Sequence, residues 1–204
     1  MSEAMLLALA TFCFVSSITP GPNNMMLLAS GANFGFRRTL PHLMGVSLGF
    51  GAMVLAVGLG VGGIFTAYPA LYDVLRVGAA AYIVWLAYRI ATARGIGDGK
   101  ATARPMSFVE AVAFQWINPK AWAMALGATT AFVAPEEFVL GVLIVTAVFT
   151  AINLPCVASW AGFGVVLRRF LDRPWTLRAF NITMAVLLVA SLYPMVADLK
   201  LGAA

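Results

Sequence analysis

The sequence predicts an all-α integral membrane protein: six transmembrane helices, arranged as two inverted three-helix repeats, with helices one and four broken. Three observations carry that prediction. The 204 residues are 62% hydrophobic and only 10% charged, whereas a soluble domain carries roughly a quarter charged residues. Most of the surface must therefore face lipid. Six apolar runs reach about the 20 residues that cross a bilayer: Ala4–Ala32, Leu43–Phe65, Leu71–Ala91, Ser107–Val133, Phe138–Leu167 and Phe180–Asp198. Proline breaks interrupt the first and fourth runs at positions about half the chain apart, as paired inverted repeats require.

The first run has no basic segment before it, Glu3 being its only charge, and it is too long for a signal-peptide core. It is expected to be a retained helix. Pro20-Gly21-Pro22 interrupts it, because two prolines remove two backbone donors and clash with preceding carbonyls. Unwound backbone at membrane depth needs protein or a water-filled cavity to satisfy it. Ser16, Ser17, Thr19, Asn23 and Asn24 flank the break, more polarity than a packing kink requires, though such a kink is the simpler alternative. Asn33–His42 reads as a loop. Glycines 45, 49, 58 and 62 give the second run a smooth packing face.

A turn at Pro69 leads into the third run, and Arg94–Pro105 reads as a loop rich in glycine and charge. The fourth run breaks at Gln115-Trp116-Ile117-Asn118-Pro119-Lys120, with Asn118 placed as an N-cap and Pro119 as the first helical residue. After Pro135 the fifth run carries a third interruption, Asn153-Leu154-Pro155. Asn153 is expected either to line the same cavity or to make an interhelical hydrogen bond. One membrane domain accounts for residues 1–204, with repeats over about 4–91 and 107–198 and a cytoplasmic connection over about 92–106.

Charge placement orients the spans. Arg37, Arg38, Arg89, Arg94, Lys100, Arg104, Arg168, Arg169, Arg173 and Arg178 follow odd-numbered spans, while Glu136 and Glu137 sit in an even-to-odd turn. The positive-inside rule then puts both termini in the periplasm. The net charge of +5 serves anionic headgroups and topology, so no nucleic-acid partner is expected. Cys13 and Cys156 are isolated in apolar runs without metal spacing, and neither metal nor cofactor is expected.

Two apparent motifs fail. Gly45-Val46-Ser47-Leu48-Gly49 has the form of a serine nucleophile turn, but five helical residues put His42 about 7.5 Å of rise away from Ser47. Gly95-Ile96-Gly97-Asp98-Gly99-Lys100 lacks the leading glycine and the Ser or Thr of a phosphate loop. An enzyme is not expected. Lys120 is the most informative residue. An ammonium at bilayer centre costs about 2.5–3.5 kcal/mol, and its sign is wrong for a helix N-terminus. A substrate carboxylate would relieve both penalties. The alternative is a lysine that snorkels or pairs structurally with Glu110 or another acid; ten residues of helix, about 15 Å, oppose Glu110.

Thr19-Pro20-Gly21-Pro22-Asn23, Asn33-Phe34-Gly35-Phe36-Arg37-Arg38 and Asn118-Pro119-Lys120 resemble the lysine exporter/homoserine–threonine efflux family. Gly78-Ala79-Ala80-Ala81-Tyr82-Ile83-Val84-Trp85-Leu86-Ala87 is similar to the cysteine/O-acetylserine exporters within it. The resemblance implies efflux of amino acids or close metabolites across the bacterial inner membrane, driven by the proton gradient. The scarcity of intramembrane acids favours a neutral amino acid. The expected substrate-binding residues are Thr19, Pro20, Gly21, Pro22, Asn23, Asn118, Pro119, Lys120 and Asn153. Lys120 leads the proton-carrier candidates, followed by His42 and Glu110. A homo-oligomer is left open. A non-transporting membrane scaffold or accessory subunit would share the helix count but need no polar breaks.

Overall fold

The computed structural model describes residues 1–63, 67–92, 104–171 and 173–193, all of them helices and their connections. Among the described residues eight α-helices follow in order: α1 Glu3–Ile18, α2 Pro22–Phe34, α3 Phe36–Ala56, α4 Pro69–Ala91, α5 Phe108–Ile117, α6 Pro119–Phe132, α7 Phe138–Arg168 and α8 Pro174–Ala190. Of the loop expected over Arg94–Pro105, residues 94–103 lie outside the described residues.

Proline and glycine set the punctuation. Pro22, Pro69, Pro119 and Pro174 each open a helix, where a missing N–H leaves no bond unmade. Gly35, at φ +80°, turns α2 directly into α3, a conformation open to glycine without steric cost. The loop expected over Asn33–His42 is therefore a single-residue hinge, and Pro41 lies inside α3. Likewise α7 runs unbroken through Asn153 and Pro155, correcting the expected third interruption. Neighbouring helices, hydroxyls and water can re-satisfy the carbonyl that an intrahelical proline frees. The last helix starts at Pro174, six residues before the apolar run, because Trp175–Ala179 continue it despite their polarity.

Two helical stretches, Phe36–Val61 and Pro135–Arg168, are long and apolar enough to cross a membrane; α1 and α2, bent by 55°, make a third if they form one span. Ala80–Ala91, Phe108–Ile117 and Pro174–Ala190 are shorter apolar helices. The fourth expected span is divided at Asn118 into helices of 10 and 14 residues.

The molecule is apolar outside and selectively polar inside. Leu7, Val109, Phe163, Phe170 and Val186 are exposed, while Asn24, Asn33, Gln115, Asn118, Asn153 and Asn181 are buried. Buried amides within a largely apolar core, beneath an apolar exterior, depart from the pattern of a water-soluble domain and suit a lipid surround. The α2 helix is central, with 11 of its 13 residues buried, so protein rather than lipid surrounds it. It packs most extensively on α7. A Cβ on Gly31 would overlap the carbonyl oxygen of Ala161, and one on Gly164 the carbonyl oxygen of Leu28, so these backbones touch. Asn33 and Asn181 exchange amide hydrogen bonds at 2.8 and 3.2 Å, tying α2 to α8.

Glycines on α3 meet α5 in the same way. A Cβ on Gly45 would lie 2.7 Å from the Ala111 methyl, and one on Gly49 would lie 2.7 Å from Val112 Cα. Further along, Gly58 and Gly62 face Val142 and Leu126. The Met1 ammonium stands 4.0 Å from Glu137, while Gly35 faces the Arg168 guanidinium. The 31-residue α7 separates those two sites, about 46 Å of helix, so acidic and basic ends lie far apart.

Candidate functional site

The two broken helices meet. The end of α1 leaves carbonyls without intrahelical partners, and those of Ser17, Ile18, Thr19 and Pro20 find side-chain donors elsewhere. Asn24 Nδ2 donates to Ser17 O and Thr19 O, both at 2.8 Å. Trp160 Nε1, from α7, donates to Ile18 O at 3.1 Å. Lys120 Nζ, from the other break, donates to Thr19 O at 2.6 Å and Pro20 O at 3.3 Å. The sign problem of Lys120 is thereby resolved. Its ammonium is mismatched with the N-terminus of its own helix but lies at the negative C-terminal end of α1.

The second break is equally accounted for. Asn118 closes α5 and opens α6, its Oδ1 accepting the Lys120 amide at 3.1 Å. Trp122 Nε1 caps Trp116 O at 2.8 Å. Asn23 and Gln115 bridge the breaks directly: Asn23 Nδ2 donates to Gln115 Oε1 at 2.8 Å, and Gln115 Nε2 donates back at 3.3 Å. Gly21 is needed for close approach, since a Cβ there would lie 2.7 Å from Lys120 Cδ. From α7, Asn153 Nδ2 donates to Ser17 Oγ at 3.1 Å.

Between these groups lies a small cavity lined by Ser16, Ser17, Gly21, Asn23, Asn24, Phe50, Asn118, Lys120, Ala121, Met124, Asn153 and Val157. Its free volume for water centres is about 20 Å³, enough for about one water and too little for an amino acid. Lys120 is the only charged residue in that lining.

Five expected site residues thus line the cavity: Gly21, Asn23, Asn118, Lys120 and Asn153. Thr19 and Pro20 contribute carbonyls from its edge, and Pro22 and Pro119 start the half-helices. Glu110 is elsewhere, in a capping box with Ser107 and bonded through both oxygens to Arg104 at 2.7 and 2.6 Å. Those hydrogen bonds hold the Arg104 guanidinium above its ordinary value. His42 is buried on α3, and neither its ring nitrogens nor Ser47 Oγ has a hydrogen-bond partner. The two side chains therefore do not bond to each other. Ser16, Ser17 and Asn24 were noted only as flanking the break, and Phe50, Ala121, Met124 and Val157 were missed as site residues altogether. Apolar side chains on apolar helices carry no sequence signal that distinguishes a cavity wall from ordinary packing.

The profile of the LysE type translocator family matches residues 14–191. The chain belongs to this family. It is 36% identical over 194 residues to the cysteine/O-acetylserine efflux proteins of Escherichia coli (strain K12) and Shigella sonnei (strain Ss046), an alignment covering 93% of this chain and 96% of each relative. No solved structure matches it. As a LysE type translocator the chain is a membrane transport protein. The breaks that meet at Lys120 both fall inside the matched region.

Proposed function

We propose that this LysE type translocator is a secondary transporter that exports a neutral amino acid or close metabolite, of the cysteine/O-acetylserine kind, across the inner membrane. The observation that carries the reading is the meeting of two broken helices around one polar cavity whose single charge is Lys120. The substrate carboxylate replaces the Thr19 and Pro20 carbonyls as partner of the ammonium, aided by the first-turn amides of α2. Since the cavity holds about one water, loading requires the halves to part. Lys120 is the contact that must be exchanged when they do. Six spans in two inverted repeats, with both termini periplasmic, fit this cycle. Proton coupling enters at Lys120, whose hold on α1 depends on its charge. A scaffold would have no use for a polar cavity at the breaks.

Proteoliposome flux tests the proposal. The wild type should export a labelled neutral amino acid when a pH gradient is applied, and Lys120→Ala should lose most of that flux while remaining folded. Wild-type flux from a folded Lys120→Ala protein would overturn the site. Absence of flux from the wild type for every amino acid would favour the scaffold.

A further inference from the structure

One lining group of the cavity is left bare. Asn153 is 5% exposed, its amide nitrogen is used by Ser17, and its Oδ1 has no hydrogen-bond partner. Among the described residues it is the one cavity-lining side chain with a buried, unpartnered polar atom. A buried amide oxygen without a donor is costly, so the atom calls for a ligand that donates.

The rest of the lining defines that ligand. Lys120 supplies a cation, and no carboxylate lines the cavity. A wholly cationic ligand would meet repulsion with nothing to offset it. A simple anion would satisfy Lys120 but leave Asn153 bare. The group that satisfies both carries an anion and an ammonium on a short frame. Phe50, Ala121, Met124 and Val157 supply carbon surface for whatever else it bears.

We propose that Asn153 Oδ1 receives the α-ammonium of a zwitterionic substrate whose carboxylate faces Lys120, so that α-amino acids with small, uncharged side chains are selected. This rests on the transporter reading above and assigns a direction to the substrate within it. Asn153 is then a specificity-determining residue, and the cavity reads the amino group as well as the acid.

The test is a binding comparison in lipid nanodiscs. Three ligands are titrated: cysteine, 3-mercaptopropionate (no amino group) and cysteamine (no carboxylate). The wild type should bind cysteine at least about tenfold more tightly than 3-mercaptopropionate, the scale expected of a hydrogen bond to a charged group. In Asn153→Leu that ratio should fall to about one, with 3-mercaptopropionate affinity nearly unchanged. Asn153→Asp, which keeps the shape and the acceptor oxygen while replacing the Nδ2 donor with a second, charged acceptor, should retain the ratio and improve cysteamine binding. It also guards against a Leu variant that fails to fold. A ratio unchanged in Asn153→Leu, or a parallel loss for both acids, would overturn the assignment and leave the amide a water-binding or structural role. If the wild type binds neither acid, the transporter reading fails first.

Discussion

Replacing Gly49 by alanine tests the packing that holds α5, and with it Gln115 and Asn118, in place. The new Cβ would lie 2.7 Å from Val112 Cα and 3.1 Å from Val112 Cγ2. Ordinary contact begins at 3.4 Å, so α3 and α5 must part locally by about 0.7 Å. Because the obstacle is a backbone atom, no side-chain rotation relieves it. Overpacking of this kind costs about 1–3 kcal/mol, of which alanine's better helix propensity returns up to about 1 kcal/mol. Against the wild type the net loss is at most about 2 kcal/mol if the full propensity gain is returned, and against a glycine-to-alanine control that makes the same gain it is about 1–3 kcal/mol. Gly45→Ala should cost at least as much, since its Cβ would lie 2.5 Å from the Phe108 carbonyl oxygen and 2.7 Å from the Ala111 methyl. Both glycines serve one helix pair, so once the first alanine has parted the helices the second has less to undo. The double variant should therefore lose clearly less than the sum of the two. Reversible unfolding in mixed micelles reads all three, with Gly162→Ala as control, because nothing lies within 4 Å of a Cβ there. A Gly49→Ala protein as stable as the control variant would refute the close approach of α3 and α5. Strict additivity would refute the shared-contact argument.

Other expectations bear on the breaks themselves. Gly21→Ala should push Lys120 off Thr19 O and cut proteoliposome flux several-fold, while the unfolding midpoint moves little, because the displaced group is a flexible side chain. Asn118→Ala removes the cap of α6 and should destabilise by about 1 kcal/mol, with Asn118→Asp recovering most of it in the same unfolding assay. Glu110→Gln weakens the capping box and the Arg104 pair. Its unfolding midpoint should fall, whereas the pH profile of flux should match the wild type, since Glu110 does not line the cavity. A shifted pH profile would support Glu110 as a proton carrier.

Much of this was legible in the residues. Prolines at 20, 22 and 119 dictated where the helices break, because a missing N–H acts locally whatever the tertiary surroundings. Asn118 before Pro119 announced its own cap for the same reason. The glycine stripe was legible as a packing face, though not that Gly58 and Gly62 lie beyond the end of α3 at Ala56, nor which helices it meets. Pro155 misled. Its disruption is overridden inside a 31-residue helix packed along α1, α2 and α3, and sequence periodicity does not contain those neighbours. The polar residues after Gly35 misled differently: Arg37, Arg38 and Thr39 belong to the first turn of α3, where polarity marks a helix end rather than a loop. The partners of Lys120 were not legible at all. Their carbonyls belong to residues 100 and 101 positions away, and backbone atoms leave no imprint on residue identity.

That last point has a genetic consequence. When a lysine pairs with an aspartate, a damaging change at one can be repaired by a compensating change at the other, and charge reversal exposes the pair. Lys120 offers no such route. Thr19 and Pro20 present the same carbonyl whichever amino acid occupies the position, so no substitution there alters the backbone partner that residue 120 meets. Suppressor screens starting from Lys120 variants should return revertants at that codon and few second-site partners. Covariation between 120 and any one acidic position should be weak across related sequences. A contact that joins the two halves of the molecule is, in that sense, hidden from inheritance on one side.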